Sequence, residues 1–202
     1  MYQRTIKTNR SLPYNLLVAS DLHLSDTSDI ILDREFVSFL GSYAGKKISD
    51  KPWKLILAGD TFEFVGVTSI PSEEEASKLG ITIGKEERKF GLKSSPNETI
   101  WKIDRIVKTH ENIFRALTSF IKHGNKVVFI SGNHDAELFW EDVREKVINI
   151  LSSFLEEKGG VDIKTNIEFK PWADYEPGIY WIEHGSQYES YNSFLELSYL
   201  MP

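Results

Sequence analysis

The chain contains no cysteine in 202 residues. Disulfides, zinc-thiolate sites and thiol nucleophiles are therefore excluded, and any chemistry must come from oxygen and imidazole. Long apolar runs are missing too: none approaches the ~20 residues that span a bilayer, and the stretch from Met1 to Arg10 is polar, without the apolar centre of a signal peptide. The expected location is cytoplasmic. Positive charge is in short supply, with 24 Lys and Arg against 30 Asp and Glu for a net charge of -6. That balance argues against non-specific nucleic-acid binding, which depends on Lys and Arg neutralising phosphates. What remains, 41% hydrophobic and 27% charged residues, is the composition of one globular domain with a sizeable core.

Three short apolar runs, Asn15 to Ser20, Lys54 to Ala58 and Lys126 to Ser131, each stop at polar residues or glycine and read as strands buried on both faces. Helical spacing lies between them. Leu32, Phe36, Phe39 and Leu40 form one face, while Ile103, Ile106, Val107, Ile113, Phe114, Leu117 and Ile121 predict a single longer helix. Another helix is predicted over Ala136 to Glu157, ended by Gly159-Gly160, followed by strands at Thr165 to Lys170 and Ile179 to Glu183. Alternating strands and helices predict an α/β domain. The segment 64–95, rich in Gly, Pro and Glu and short of periodicity, reads as an insertion or lid over one end of the sheet, or as a solvated surface excursion.

Ligands of an open α/β sheet gather at the carboxyl ends of its strands. Here those ends carry Asp21-Leu22-His23, then Gly59-Asp60 with Glu63 shortly after, then Gly132-Asn133-His134-Asp135, then His184-Gly185. Each piece has an ordinary explanation when taken alone. Gly59-Asp60-Thr61 could be a turn with an Asx-type hydrogen bond, Asn133 a helix cap, His184 a partly buried histidine. Together they are more specific: three of five histidines follow predicted strands beside acids or Asn, whereas His110 and His123 fall on a predicted helix without an assigned role. Asp-x-His can place a carboxylate and an imidazole on one cation, and Asp60 can bridge two. Mixed oxygen and imidazole donors suit Mn, Fe, Zn or Ni better than calcium. A dinuclear site, which neutralises phosphoryl oxygens during in-line displacement, is the natural reading.

These ordered motifs resemble those of the calcineurin-like metallophosphoesterase superfamily. The stretch Ser20 to Asp26 with Gly59 to Glu63 is similar to the branch containing UDP-2,3-diacylglucosamine pyrophosphatases. The resemblance runs from about Leu16 to Asn192 and implies a four-layer β-sandwich of two mixed sheets flanked by helices. It implies two divalent metal ions, manganese first, with Fe, Zn, Ni or Mg as alternatives. One would be held by Asp21, His23 and bridging Asp60, the other by Asp60, Asn133 and His184. His134 would face the substrate, stabilising phosphoryl charge or protonating the leaving oxygen, with Glu63 orienting it from behind and Asp135 supporting the loop.

The expected activity is hydrolysis of a phosphodiester, phosphomonoester or pyrophosphate bond in a small substrate such as a nucleotide-sugar lipid. A DNA-processing nuclease and a non-catalytic scaffold are the alternatives. The superfamily ends its motif set with Gly-His-x-His, and no histidine follows His184. Each ion is thus one protein ligand short, with Glu183 or Glu189 as conceivable substitutes. The apolar and aromatic stretch Tyr191 to Leu200 reads as a helix at an odd place for a domain to stop, so the sequence reads as the N-terminal part of a longer domain, with an unpaired sheet edge that favours dimerisation. His184 to Asn192 resembles a subgroup of bacterial members whose longer chains continue toward membrane-associated regions.

Overall fold

The computed structural model describes residues 11–155 and 163–192. Four parallel strands, β1 (Asn15–Ala19), β2 (Trp53–Ala58), β3 (Lys126–Ile130) and β4 (Ile167–Lys170), lie side by side in that order. The register aligns Leu17 with Leu55, Leu55 with Val127, and Val127 with Ile167 on one face. That face meets the helices α1 (Ile30–Ala44), α4 (Pro96–Thr109), α5 (Glu111–Lys122) and α6 (Glu141–Ser153), whose apolar sides build the main core with Leu55, Leu57, Val127 and Phe129. Side chains alternate along each strand, so Ile56, Ala58, Val128 and Ile130 point the other way. They are covered by Tyr180 and Ile182 of an antiparallel hairpin, β5 (Ala173–Glu176) and β6 (Tyr180–Glu183).

The α/β expectation therefore holds, with differences of detail. Over the described residues the large sheet is purely parallel and the second is a two-stranded hairpin, where two mixed sheets were expected. β2 is buried along its whole length, but β1 lies at the sheet edge and leaves Val18 49% exposed, so it is not covered on both faces. The single helix expected through residues 103–121 is two, broken at His110, whose imidazole Nδ1 sits 2.6 Å from Asp33 Oδ1. The helix expected from Ala136 begins as a short 3-10 turn, Ala136–Phe139, and becomes α-helical only after Trp140 adopts an extended backbone. The segment 64–95 is more ordered than its composition suggests, because it holds α2 (Glu73–Leu79) and α3 (Lys85–Phe90). Residues 193–200 of the expected last helix, and the Gly159-Gly160 break, lie outside the described residues. Among the described residues no helix is long and apolar enough to cross a membrane.

Candidate metal centre

The loops after β1 and β2 continue to pair beyond the sheet. Asp21 N–H donates to Gly59 O, His23 N–H to Asp60 O, Leu24 N–H to Thr61 O and Glu63 N–H back to Leu24 O, at 2.9–3.1 Å. Phe64 N–H donates to His134 O, which ties in the loop after β3. Within this frame Asp21, His23 and Asp60 take positive φ values of 57°, 47° and 51°. Such a backbone costs roughly 1 to 3 kcal/mol per residue and persists only where surrounding bonds over-determine it.

Asp135 supplies more of that determination. Fully buried, its carboxylate accepts hydrogen bonds from Gly132 N–H (2.6 Å), Thr61 N–H (2.8 Å) and Phe62 N–H (3.2 Å), joining the loops after β2 and β3. Burial pushes the Asp135 carboxyl up to about 7, against the pull of those three donors. This agrees with the loop-supporting part expected of it.

Asp60 lies at the centre and is 3% exposed. Its Oδ1 accepts from His134 N–H at 3.0 Å, while its Oδ2 is 3.3 Å from His184 Nε2 and 3.8 Å from His23 Nε2. Two groups of side chains share it: Asp60 with His23 and His134, and Asp60 with Asp21 and His184. In each group the candidate ligand atoms lie within 4.8 Å of one another. Asn133 Oδ1, 3.1 Å from His184 Nε2, joins the second. All five expected metal ligands therefore converge, though Asp21 lies nearer His184 than the expected partition placed it. Two glycines make the convergence sterically feasible. A Cβ on Gly132 would overlap the Asp60 carboxylate, and one on Gly59 would overlap the His184 ring.

The histidine tautomers suit cations. His184 Nδ1 is 3.1 Å from Ala58 O, an obligate acceptor, so Nδ1 carries the hydrogen and Nε2 is turned to Asp60 and Asn133. His23 repeats the pattern: Nδ1 is 2.9 Å from Glu63 Oε2, and Nε2 faces Asp21 Oδ1 and Asp60 Oδ2, each at 3.8 Å. An imidazole tied back through Nδ1 with Nε2 among carboxylates is the arrangement a metal-ligating histidine needs. On this observation the residues fit a pair of divalent cations.

Glu63 serves two histidines at once, which its position in the sequence did not reveal. The same Oε2 lies 2.7 Å from His134 Nδ1, off a hydrogen-bond axis, and the His23 and His134 rings meet edge to face at 4.8 Å. Burial opposes the Glu63 charge, but the two imidazoles outweigh it and hold its carboxyl below the usual range. For Asp60 too burial is outweighed, by His184 and the His134 N–H, and its carboxyl is lowered. His184 is raised, chiefly by Asp60; His134 is raised by Glu63 in spite of burial.

The proposed substitutes are engaged elsewhere. Glu183 accepts from Trp172 Nε1–H and Tyr188 O–H, Glu189 from Asn192, and neither belongs to the two shared groups. A cavity of about 500 Å³ opens beside His23, and one of about 270 Å³ lies between Asn133, Val65 and Trp140. No family model matches the chain, and neither a curated protein nor a solved structure matches it.

Proposed function

We propose that the chain is a metal-dependent phosphohydrolase of the calcineurin-like metallophosphoesterase kind, acting on a small phosphate ester or anhydride with two divalent cations, manganese first. The observation that carries this reading is the Asp60 carboxylate shared by two groups of converging ligand atoms. A shared carboxylate at the mouth of parallel strands, with two imidazoles tied back through Nδ1, is more than structural packing requires. The α/β architecture is compatible with the superfamily's β-sandwich, with the hairpin β5–β6 packed on the second face of the parallel sheet.

When bound, two such cations would neutralise phosphoryl oxygens and orient the groups that are displaced. The chain's own residues do the remainder. Asp21 and Asp60 would supply the negative charge that holds the cations, and His23, His184 and Asn133 would complete their ligand sets. His134, whose imidazole Glu63 pushes toward the protonated form, would give a proton to the leaving oxygen or stabilise phosphoryl charge. The net charge of -6 favours this over the nuclease reading.

Asp60→Ala tests it. With bis-p-nitrophenyl phosphate and manganese, turnover should require the metal, and the variant should lose both bound ions and all activity. Asn133→Ala should weaken mainly one ion. Equal losses in both variants would remove the bridging assignment; parent protein with neither metal uptake nor turnover would remove the proposal.

A further inference from the structure

At the opposite end of β2 from Asp60 the hairpin is fastened by charge. Lys54 Nζ lies 2.6 Å from Asp174 Oδ2, and both side chains are under a tenth exposed. The Tyr180 hydroxyl donates to the same Asp174 oxygen at 2.7 Å and accepts from Lys54 Nζ at 3.2 Å. Tyr14 O–H, 3.1 Å from Tyr180 O–H, closes the group, and the Lys54 ammonium sits over the Tyr14 ring. Burial and the Asp174 carboxylate push the Tyr180 hydroxyl up, so it remains a donor.

A buried ion pair is an inefficient way merely to glue two sheets, because apolar residues of similar volume usually hold as well or better. What directional bonds add is register. The apolar contacts across this interface, Ile182 and Tyr180 against Ile56, Ala58, Val128 and Ile130, set no direction; at the far end His184 itself meets Ala58 O through Nδ1 at 3.1 Å. Lys54 belongs to the strand whose end leads into Asp60, and Tyr180 opens the strand that His184 follows directly. A slip of one residue in β6 would move His184 by roughly 3.3 Å and turn it to the other face.

We infer that Lys54, Asp174 and Tyr180 are positioning residues, which set the register of β6 against β2 and thereby aim His184 at Asp60. The inference rests on the proposed metal centre for its functional meaning. Its geometric content can be tested without metal.

Removing one charge would strand the other in the interior, so the main variant is the pair Lys54→Met with Asp174→Leu. In manganese titrations of the full chain, one ion should bind as in the parent. The other should weaken by about 10- to 100-fold, the usual penalty for losing support behind a metal ligand. Electron paramagnetic resonance should show the coupled two-ion signal giving way to that of isolated ions. Tyr180→Phe, which leaves the ion pair in place, should give the same one-sided loss in smaller measure and decides the matter if the double variant does not fold. A folded double variant with parental affinities and coupling overturns the inference. Equal weakening of both ions also overturns it, because that is general loss of order. If the parent takes up no manganese, the dinuclear reading falls, and the metal-free chain settles the positioning. Loss of the His184 Nδ1–H resonance protected by Ala58 O in the variant supports it, and persistence refutes it.

Discussion

Residue by residue, most of the centre was legible because the strand ends are legible: an apolar run that stops at Asp, His or Asn marks the place where side chains meet. Asp21, His23, Asp60, Asn133 and His184 all converge there. Glu63 was harder, since its double contact depends on the paired loops after β1 and β2, whose left-handed residues no spacing announces. That contact has a measurable result. In the metal-free chain His134 should titrate above the free-imidazole value of about 6.5, and Glu63→Gln should lower it by removing the adjacent negative charge. Imidazole NMR across the pH range checks the direction; an unchanged His134 would detach Glu63 from it. If the proposed activity holds, His134→Ala should keep its ions while losing roughly 10²- to 10⁴-fold in turnover. Loss of ions would make His134 a ligand.

For the elements, the parallel strands declared themselves by composition, whereas the breaks between helices did not. Neither glycine nor proline marks the α4–α5 junction. It is set by His110, 1% exposed and held by Asp33 from α1, a tertiary contact invisible in local periodicity. Asp33→Ala leaves a buried imidazole without its partner and should cost about 1 to 3 kcal/mol. Urea unfolding measures this, and Asp33→Asn, which keeps an acceptor, should recover much of it. β5 escaped notice because it has only four residues between Pro171 and Pro177. The two helices of segment 64–95 were readable in principle. Ser72 Oγ accepts from Glu75 N–H and the Glu75 carboxylate accepts from Ser72 N–H, a capping box written as Ser-x-x-Glu in a stretch dismissed for its Gly and Pro.

Across the whole molecule, the centre concentrates groups that need positive charge. His134 and His184 are raised from 6.5, and Asp135 from 3.8 to about 7. A group raised on folding contributes stability that is complete below its unfolded value and lost as pH rises through the folded one. Asp60 and Glu63, lowered on folding, act in the opposite sense, but their contribution is lost only as pH falls through the acid range. The metal-free chain should therefore lose melting temperature as pH rises from the mildly acid range through neutrality, and manganese, which takes the place of the protons, should abolish or reverse the decline. Thermal melts with chelator and with metal check both parts. A chelated chain whose Tm stays level or climbs over that interval contradicts the account.

The two empty Cβ positions beside the centre bear on how this chain can change over generations. Gly132 leaves room for the Asp60 carboxylate, and Gly59 for the His184 ring. Neither glycine offers a functional group, yet a codon change at either would strike the same atoms as a change at the acid or the imidazole itself. The unit that must change together is accordingly not a dipeptide but a pair drawn from two loops, Gly132 with Asp60 and Gly59 with His184.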